Sequence, residues 1–344
     1  MAGTYRFSFG PWNIHQGADP FGPNVRDEFS FAQKLKMYKK LGFDGVQFHD
    51  DDAVPDMNKL SVKVIADKAK KLRKTLESNG LEAEFVAPRL WEDARTIDGG
   101  YTSNDPKCRE YAIERSKRAI DIADALGTNL IVLWLAREGT YIREAKDSKL
   151  AVDRLADAID IMLKYHPNIR IAIEAKPNEP MDHTYIPTIG HAIGLGMLTC
   201  DASRVGCVIE SAHAILAGLD PSDEMGYAIA HKKLWSVHLN DQNGLKFDQD
   251  KSFGSADIRR AFNQVRILDA YDYGKNGEWV GLDVKAMRTQ KKDVSTKHLS
   301  NSKDVFMSLV KLVRSLDTKK IDKLIAQRDY ETLDLLIINH LMGK

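Results

Sequence analysis

The feature that most constrains this 344-residue chain is an eightfold alternation of short apolar runs with longer amphipathic stretches. Strands are expected at residues 6–12, 45–49, 82–87, 129–136, 170–176, 205–211, 234–239 and 279–284. Helices are expected between and after them, at 28–41, 62–79, 106–126, 151–165, 188–198, 224–231, 255–268 and 304–316. In the third helix, Ala112, Ser116, Ala119, Ile122, Ala123 and Leu126 recur at steps of three and four, and Gly127 stands where a C-terminal cap belongs. The run 129–136 is apolar almost throughout, as a strand covered on both faces must be. Eight such units predict an α/β fold, a (β/α)8 TIM barrel. A doubly wound open sheet would normally place a glycine-rich phosphate turn after its first strand, and the segment from Trp12 to Gly17 is not one. Residues 1–316 are read as the barrel and 317–344 as a short C-terminal helical extension, with Leu333, Leu336, Ile337 and Leu341 on one side to meet a partner subunit.

Composition excludes several classes. Lys and Arg total 50 against 49 Asp and Glu, so nothing favours a nucleic-acid partner. The longest apolar run spans residues 130–136, far short of a membrane span, and the N-terminus lacks a signal-peptide core. Three cysteines without close spacing argue against a disulfide framework. A soluble, cytoplasmic protein with no membrane partner, neither fibrous nor disulfide-built, is expected.

The polar residues of interest fall at strand C-terminal ends, where a barrel builds its active site. These ends carry His49-Asp50-Asp51-Asp52, Glu174-Ala175-Lys176, Glu210-Ser211-Ala212-His213, His238-Leu239-Asn240-Asp241 and Asp283-Val284-Lys285, with Asp248 and Asp250 in a following loop. Each has an ordinary reading. An acidic turn can cap a helix, a lone histidine can be a satisfied core residue, and Glu174 and Lys176 share a strand face and could form a structural ion pair. Five strand ends carrying acids or histidines together outweigh those readings. Carboxylates converging on one mouth repel one another without a cation, and oxygen ligands with some imidazole suit Mg²⁺, Mn²⁺ or Co²⁺. Trp12, Trp91 and Trp134, at or beyond ends one, three and four, are either core or an apolar wall that excludes water.

These motifs closely resemble the D-xylose (glucose) isomerase family. The match includes Phe48-His49 through Asp52 with Pro55, Glu174 through Pro180, Glu210 through His213, Gly244 through Asp250 with Phe253-Gly254, and Asp283 through Lys285 with Arg288-Thr289. The opening Phe9 through Trp12, Asp19 through Gly22, and Gly99 through Asp105 also match, and the likeness runs from about residue 6 to 290. It implies aldose–ketose isomerisation of a sugar by ring opening and a metal-assisted 1,2-hydride shift, with two divalent metal ions per subunit (Mn²⁺, Mg²⁺ or Co²⁺). By resemblance, Glu174, Glu210, Asp283 and a strand-seven residue hold one ion. Glu210, His213, Asp248 and Asp250 hold the other. His49, oriented by Asp52, resembles the ring-opening residue, and Lys176 the one that polarises the carbonyl oxygen. Trp12 and Trp134 resemble the apolar walls, Trp91 stands where the family has phenylalanine, and Phe21 resembles an aromatic inserted into a neighbouring subunit's site. A homo-oligomer, dimer or tetramer, follows, and a cis Glu179–Pro180 bond.

The sequence also departs from the family. Its strand-seven aspartate is replaced here by His238 in the ungapped alignment, with Asp241 three residues on as the alternative ligand. A pocket threonine is Ala87. Histidine at this strand is used by related isomerases and epimerases of the superfamily, so 3-epimerisation of a ketose or cleavage of an oxo-sugar, by enolisation, is the alternative outcome.

Overall fold

The computed structural model describes residues 5–17, 22–294 and 296–344. Eight strands close a barrel: β1 Arg6–Phe9, β2 Gly45–His49, β3 Glu82–Ala87, β4 Leu130–Trp134, β5 Arg170–Glu174, β6 Val205–Glu210, β7 Leu234–Leu239 and β8 Trp279–Leu282. Each runs parallel to both neighbours, and β8 pairs with β1. Each strand is followed by a long helix: α1 Phe31–Leu41, α2 Val62–Ser78, α3 Pro106–Leu126, α4 Ser148–Tyr165, α5 Ile189–Met197, α6 Pro221–Ala230, α7 Ile258–Ala270 and α8 Lys297–Arg314. Helices α9 Thr318–Gln327 and α10 Tyr330–Leu341 complete the chain. The expected (β/α)8 architecture is therefore present. Among the described residues, no helix is long and apolar enough to cross a membrane.

Local chemistry explains the element limits. Asp105 caps α3 at Lys107 N, Pro106 opens its first turn, and Gly127 ends it at φ 88°. Strand β4 is covered on both faces: Ile131 and Leu133 join the large core under the helices, while Leu130 and Val132 join the smaller core inside the barrel. Strand β1 stops at Phe9 rather than at residue 12, because Pro11 opens a 3₁₀ turn. Helix α6 starts at Pro221 under an Asp220 cap, ahead of the expected 224. Helix α8 starts seven residues before the expected 304. Its polar first turns bury only His298, Leu299 and Ser302, too little apolar periodicity to read.

A β-bulge shapes the barrel interior. The β2–β3 register steps from Val46 opposite Ala83 to Phe48 opposite Val86. The extra residue turns both Glu84 and Phe85 inward. Glu84 accepts hydrogen bonds from Ser8, Ser236 and Gln47 (Nε2, 3.2 Å) and forms a buried polar floor. Burial holds its carboxyl above the usual range.

The tail packs on its own barrel. Ile321, Leu324 and Ile337 are buried, Leu333, Leu336 and Leu341 pack partly buried against the core, and Asp334 pairs with Arg259 of α7 at 2.6 Å. The apolar side expected to meet a partner subunit is thus taken up within the chain.

The acidic turn after β2 is tied to α3. Asp50 is fully buried and takes Arg115 in a bidentate pair, both contacts at 2.7 Å. Arg115→Met leaves that carboxylate buried without its partner, and a loss of about 3–5 kcal/mol is expected. A urea unfolding midpoint unchanged from the parent would contradict this.

Candidate metal centre

The barrel's C-terminal mouth gathers the acids. Glu174 ends β5, Glu210 ends β6, His238 lies near the end of β7, and Asp283 follows β8. His213 comes from the helical turn Ser211–Leu216, and Asp248 and Asp250 from the loop after β7. All seven line a cavity of about 470 Å³, together with Trp12, His49, Trp91, Trp134 and Lys176. A larger cavity, about 1020 Å³, opens at the opposite mouth, lined by Arg73, Arg170, Trp235 and Trp279 among others, and none of the candidate ligands reaches it.

Three sets of side chains bring ligand atoms within 4.8 Å of one another: Glu174, Glu210 and His213; Glu210, His238 and Asp283; Glu210, Asp248 and Asp250. Glu210 belongs to every set. His213 Nε2 lies 3.2 Å from Glu210 and 3.1 Å from Asp248, and His238 Nδ1 lies 3.3 Å from Glu174. Yet His213 Nδ1, both ring nitrogens of His238 and Asp248 Oδ1 are buried with no hydrogen-bond partner. Buried polar atoms are seldom left so. Converging, unsatisfied nitrogen and carboxylate donors fit divalent cations.

Asp241 is placed elsewhere. Its carboxylate accepts from Gln242 N, Ala256 N and Asp257 N, fixing the loop that leads into α7. Of the two strand-seven candidates, only His238 faces the cluster. Lys176 pairs with Asp248 at 2.8 Å, whereas Glu174 faces the two histidines, so the Glu174–Lys176 ion pair does not form. The Glu179–Pro180 bond is cis. Phe21 lies outside the described residues.

The charges are mutually dependent. Burial, then Asp248, Asp250, Asp283 and Glu174, push the Glu210 carboxyl well above its ordinary range. Burial and Asp248 push Asp250 up to about 8. Burial opposes a charge on His238, but the Glu174 carboxylate overrides it and raises the imidazole to about 9. Glu174 is drawn down to about 2 against its burial, chiefly by His238. Asp248, also opposed by burial, is held well below its range by Lys176 and His213.

Several residues take supporting roles that the sequence did not assign. Asn240 donates to Glu210 (2.8 Å) and Asp250 (3.2 Å) and accepts from Ala212 N. Asn13 donates to Asp283 at 2.7 Å, and Trp12 adds its indole N–H at 2.9 Å, so this wall residue also orients an acid. Lys285 pairs with Asp250. The aromatic wall is continuous: Trp12 stacks on His49 (centroids 4.1 Å apart), Trp91 meets His49 edge-on (5.0 Å) and Trp134 edge-on (4.7 Å), and Lys176 lies 5.1 Å over Trp134. Asp52 stands behind His49, its Oδ2 2.8 Å from Nδ1.

At neutral pH the cluster thus retains protons on Asp250 and His238, which a cation must displace. Titrating Mn²⁺ into metal-stripped protein at pH 7, in buffers of different ionisation enthalpy, should show release of about two protons per site cluster. Affinity should rise from pH 6 to 9. Binding without proton release would contradict these assignments.

The family model described as xylose isomerase-like TIM barrel matches residues 35–296. Similar solved structures include a D-tagatose 3-epimerase-like protein (16% identity, TM-score 0.65, covering 90% of this chain and 98% of that one). The IOLI protein with a bound zinc atom is 16% identical with TM-score 0.62 (90% and 100%). The 3-keto-D-glucoside 4-epimerase from E. coli is 14% identical with TM-score 0.61 (89% and 100%). At these identities the likeness is one of fold. The family match is broader than the aldose–ketose isomerases that the motifs resemble, and it covers most of the barrel: the chain belongs to the xylose isomerase-like TIM-barrel family.

Proposed function

We propose that this protein is a metal-dependent aldose–ketose sugar isomerase. The observation that carries the reading is one cavity joining the acid–histidine cluster to Lys176 and, along a continuous tryptophan wall, to His49. Glu174, Glu210, His238 and Asp283 would hold one divalent cation, and Glu210, His213, Asp248 and Asp250 a second. Bound there, Mn²⁺, Mg²⁺ or Co²⁺ would supply Lewis-acid polarisation of the sugar's oxygens.

In isomerisation, the hydrogen on C2 moves with its electron pair to C1, O2 becomes the carbonyl oxygen, and the proton lost by O2 ends on O1. His49 holds the ring oxygen of the cyclic sugar while the ring opens. Lys176 then donates a hydrogen bond to the carbonyl oxygen as negative charge develops on it. Burial disfavours the Lys176 ammonium, but Asp248 more than offsets this and keeps it charged. Trp12, Trp91 and Trp134 exclude water from the migrating hydrogen. A cytoplasmic homo-oligomer, dimer or tetramer, with Phe21 at a neighbour's site, belongs to the same reading.

His238 favours a second reading. It replaces an anion with a neutral donor, and a 3-epimerase-like protein and a 4-epimerase figure among the similar folds. Solvent deuterium separates the two. With metal-loaded protein in D₂O and a panel of free sugars followed by NMR, an aldose should yield its ketose with no deuterium at C1 or C2. Deuterium incorporation or an epimerised product would establish enolisation instead. Lys176→Met should cost about 10²–10³-fold in kcat with sugar binding retained.

A further inference from the structure

Arg89, just beyond β3, was not singled out by its sequence context. Its guanidinium lines the cavity beside His49, among three carboxylates. Nε lies 2.9 Å from Asp51, Nη1 3.2 Å from Glu92, and Nη2 2.9 Å from Asp52 Oδ1. Its backbone N–H donates to the buried Asp50 at 3.2 Å. Nη2 also lies 2.7 Å from His49 Nδ1.

His49 Nδ1 therefore has two neighbours of opposite demand. Asp52 Oδ2, 2.8 Å away, asks for a proton on Nδ1, whereas Arg89 asks for the lone pair. A guanidinium has donors only and does not deprotonate. With a proton on Nδ1, two N–H groups would face each other at 2.7 Å. Asp52, by contrast, is satisfied without the ring: Oδ1 accepts from Arg89, and Oδ2 accepts from the His49 backbone N–H at 3.4 Å. The ring cannot swing aside to separate the two, because Trp12 stacks on one face and Trp91 abuts its edge.

We infer that Arg89 is a positioning residue that sets the tautomer of His49. It keeps the lone pair on Nδ1 and the proton on Nε2, so that His49 offers an N–H to an acceptor oxygen of the substrate, the ring oxygen of a cyclic sugar, rather than a base to a hydroxyl. The identity of that acceptor rests on the proposed function; the tautomer does not.

The test is ¹⁵N NMR of histidine-labelled, Mg²⁺-loaded protein, with His49 assigned from the signal lost in His49→Gln. The expected pattern is protonated Nε2 and unprotonated Nδ1. Arg89→Met should move the proton to Nδ1, facing Asp52, whereas Asp52→Ala should leave it on Nε2. A protonated Nδ1 in the unaltered protein overturns the assignment, even if a variant fails to fold. So does a tautomer unchanged in Arg89→Met. The spectrum is read without turnover, so lack of isomerase activity would remove the proposed function and leave the tautomer result standing.

Discussion

The structure turns on the repulsion among five buried or half-buried carboxylates, Glu174, Glu210, Asp248, Asp250 and Asp283, at one mouth of the barrel. Among the described residues, two lysines lie among them: Lys176 pairs with Asp248 and Glu179, and Lys285 with Asp250. Burial raises the cost of every unpaired charge, so the cluster persists by sharing protons or by holding cations. Glu210 touches every subset, and burial together with its acidic neighbours pushes its carboxyl well above the ordinary range. Around it the chain has invested supporting contacts: Asn240 and Asn13 as donors, Trp12 as a wall that also orients Asp283.

The barrel makes this concentration possible. Parallel strands end together, so residues at the ends of β5, β6 and β7 and just beyond β8 meet although they are far apart in sequence. The opposite end has different physics. There Arg6 lies over Trp279 and Arg170 over Trp235, and the bulge-borne Glu84 accepts hydrogen bonds from Ser8, Gln47 and Ser236 in the interior. At that end the buried acid is hydrogen-bonded, whereas the other mouth leaves donors open.

Much of this was legible in the sequence because it depends on covered strands and their ends. An apolar run such as β4 has one low-energy use, and a charged residue directly after such a run must face a mouth. Hence twelve candidate residues, from Trp12 and His49 to Asp283, line one cavity. What remained hidden depends on contacts across the chain. Arg89 reads as an ordinary loop arginine until its fold neighbours Asp51 and Asp52 are beside it. Glu84 reads as an outward residue, because a bulge breaks the two-residue alternation. The apolar side of α10 reads the same whether α7 or another subunit covers it. Asn240 looks like a turn residue.

We propose that this mouth binds two cations, organised around Glu210. Anomalous diffraction from a crystal soaked in Mn²⁺ tests it most directly. Two peaks flanking Glu210, one beside Glu174, His238 and Asp283 and the other beside His213, Asp248 and Asp250, are expected. A single peak, or none at Glu210, would contradict the account.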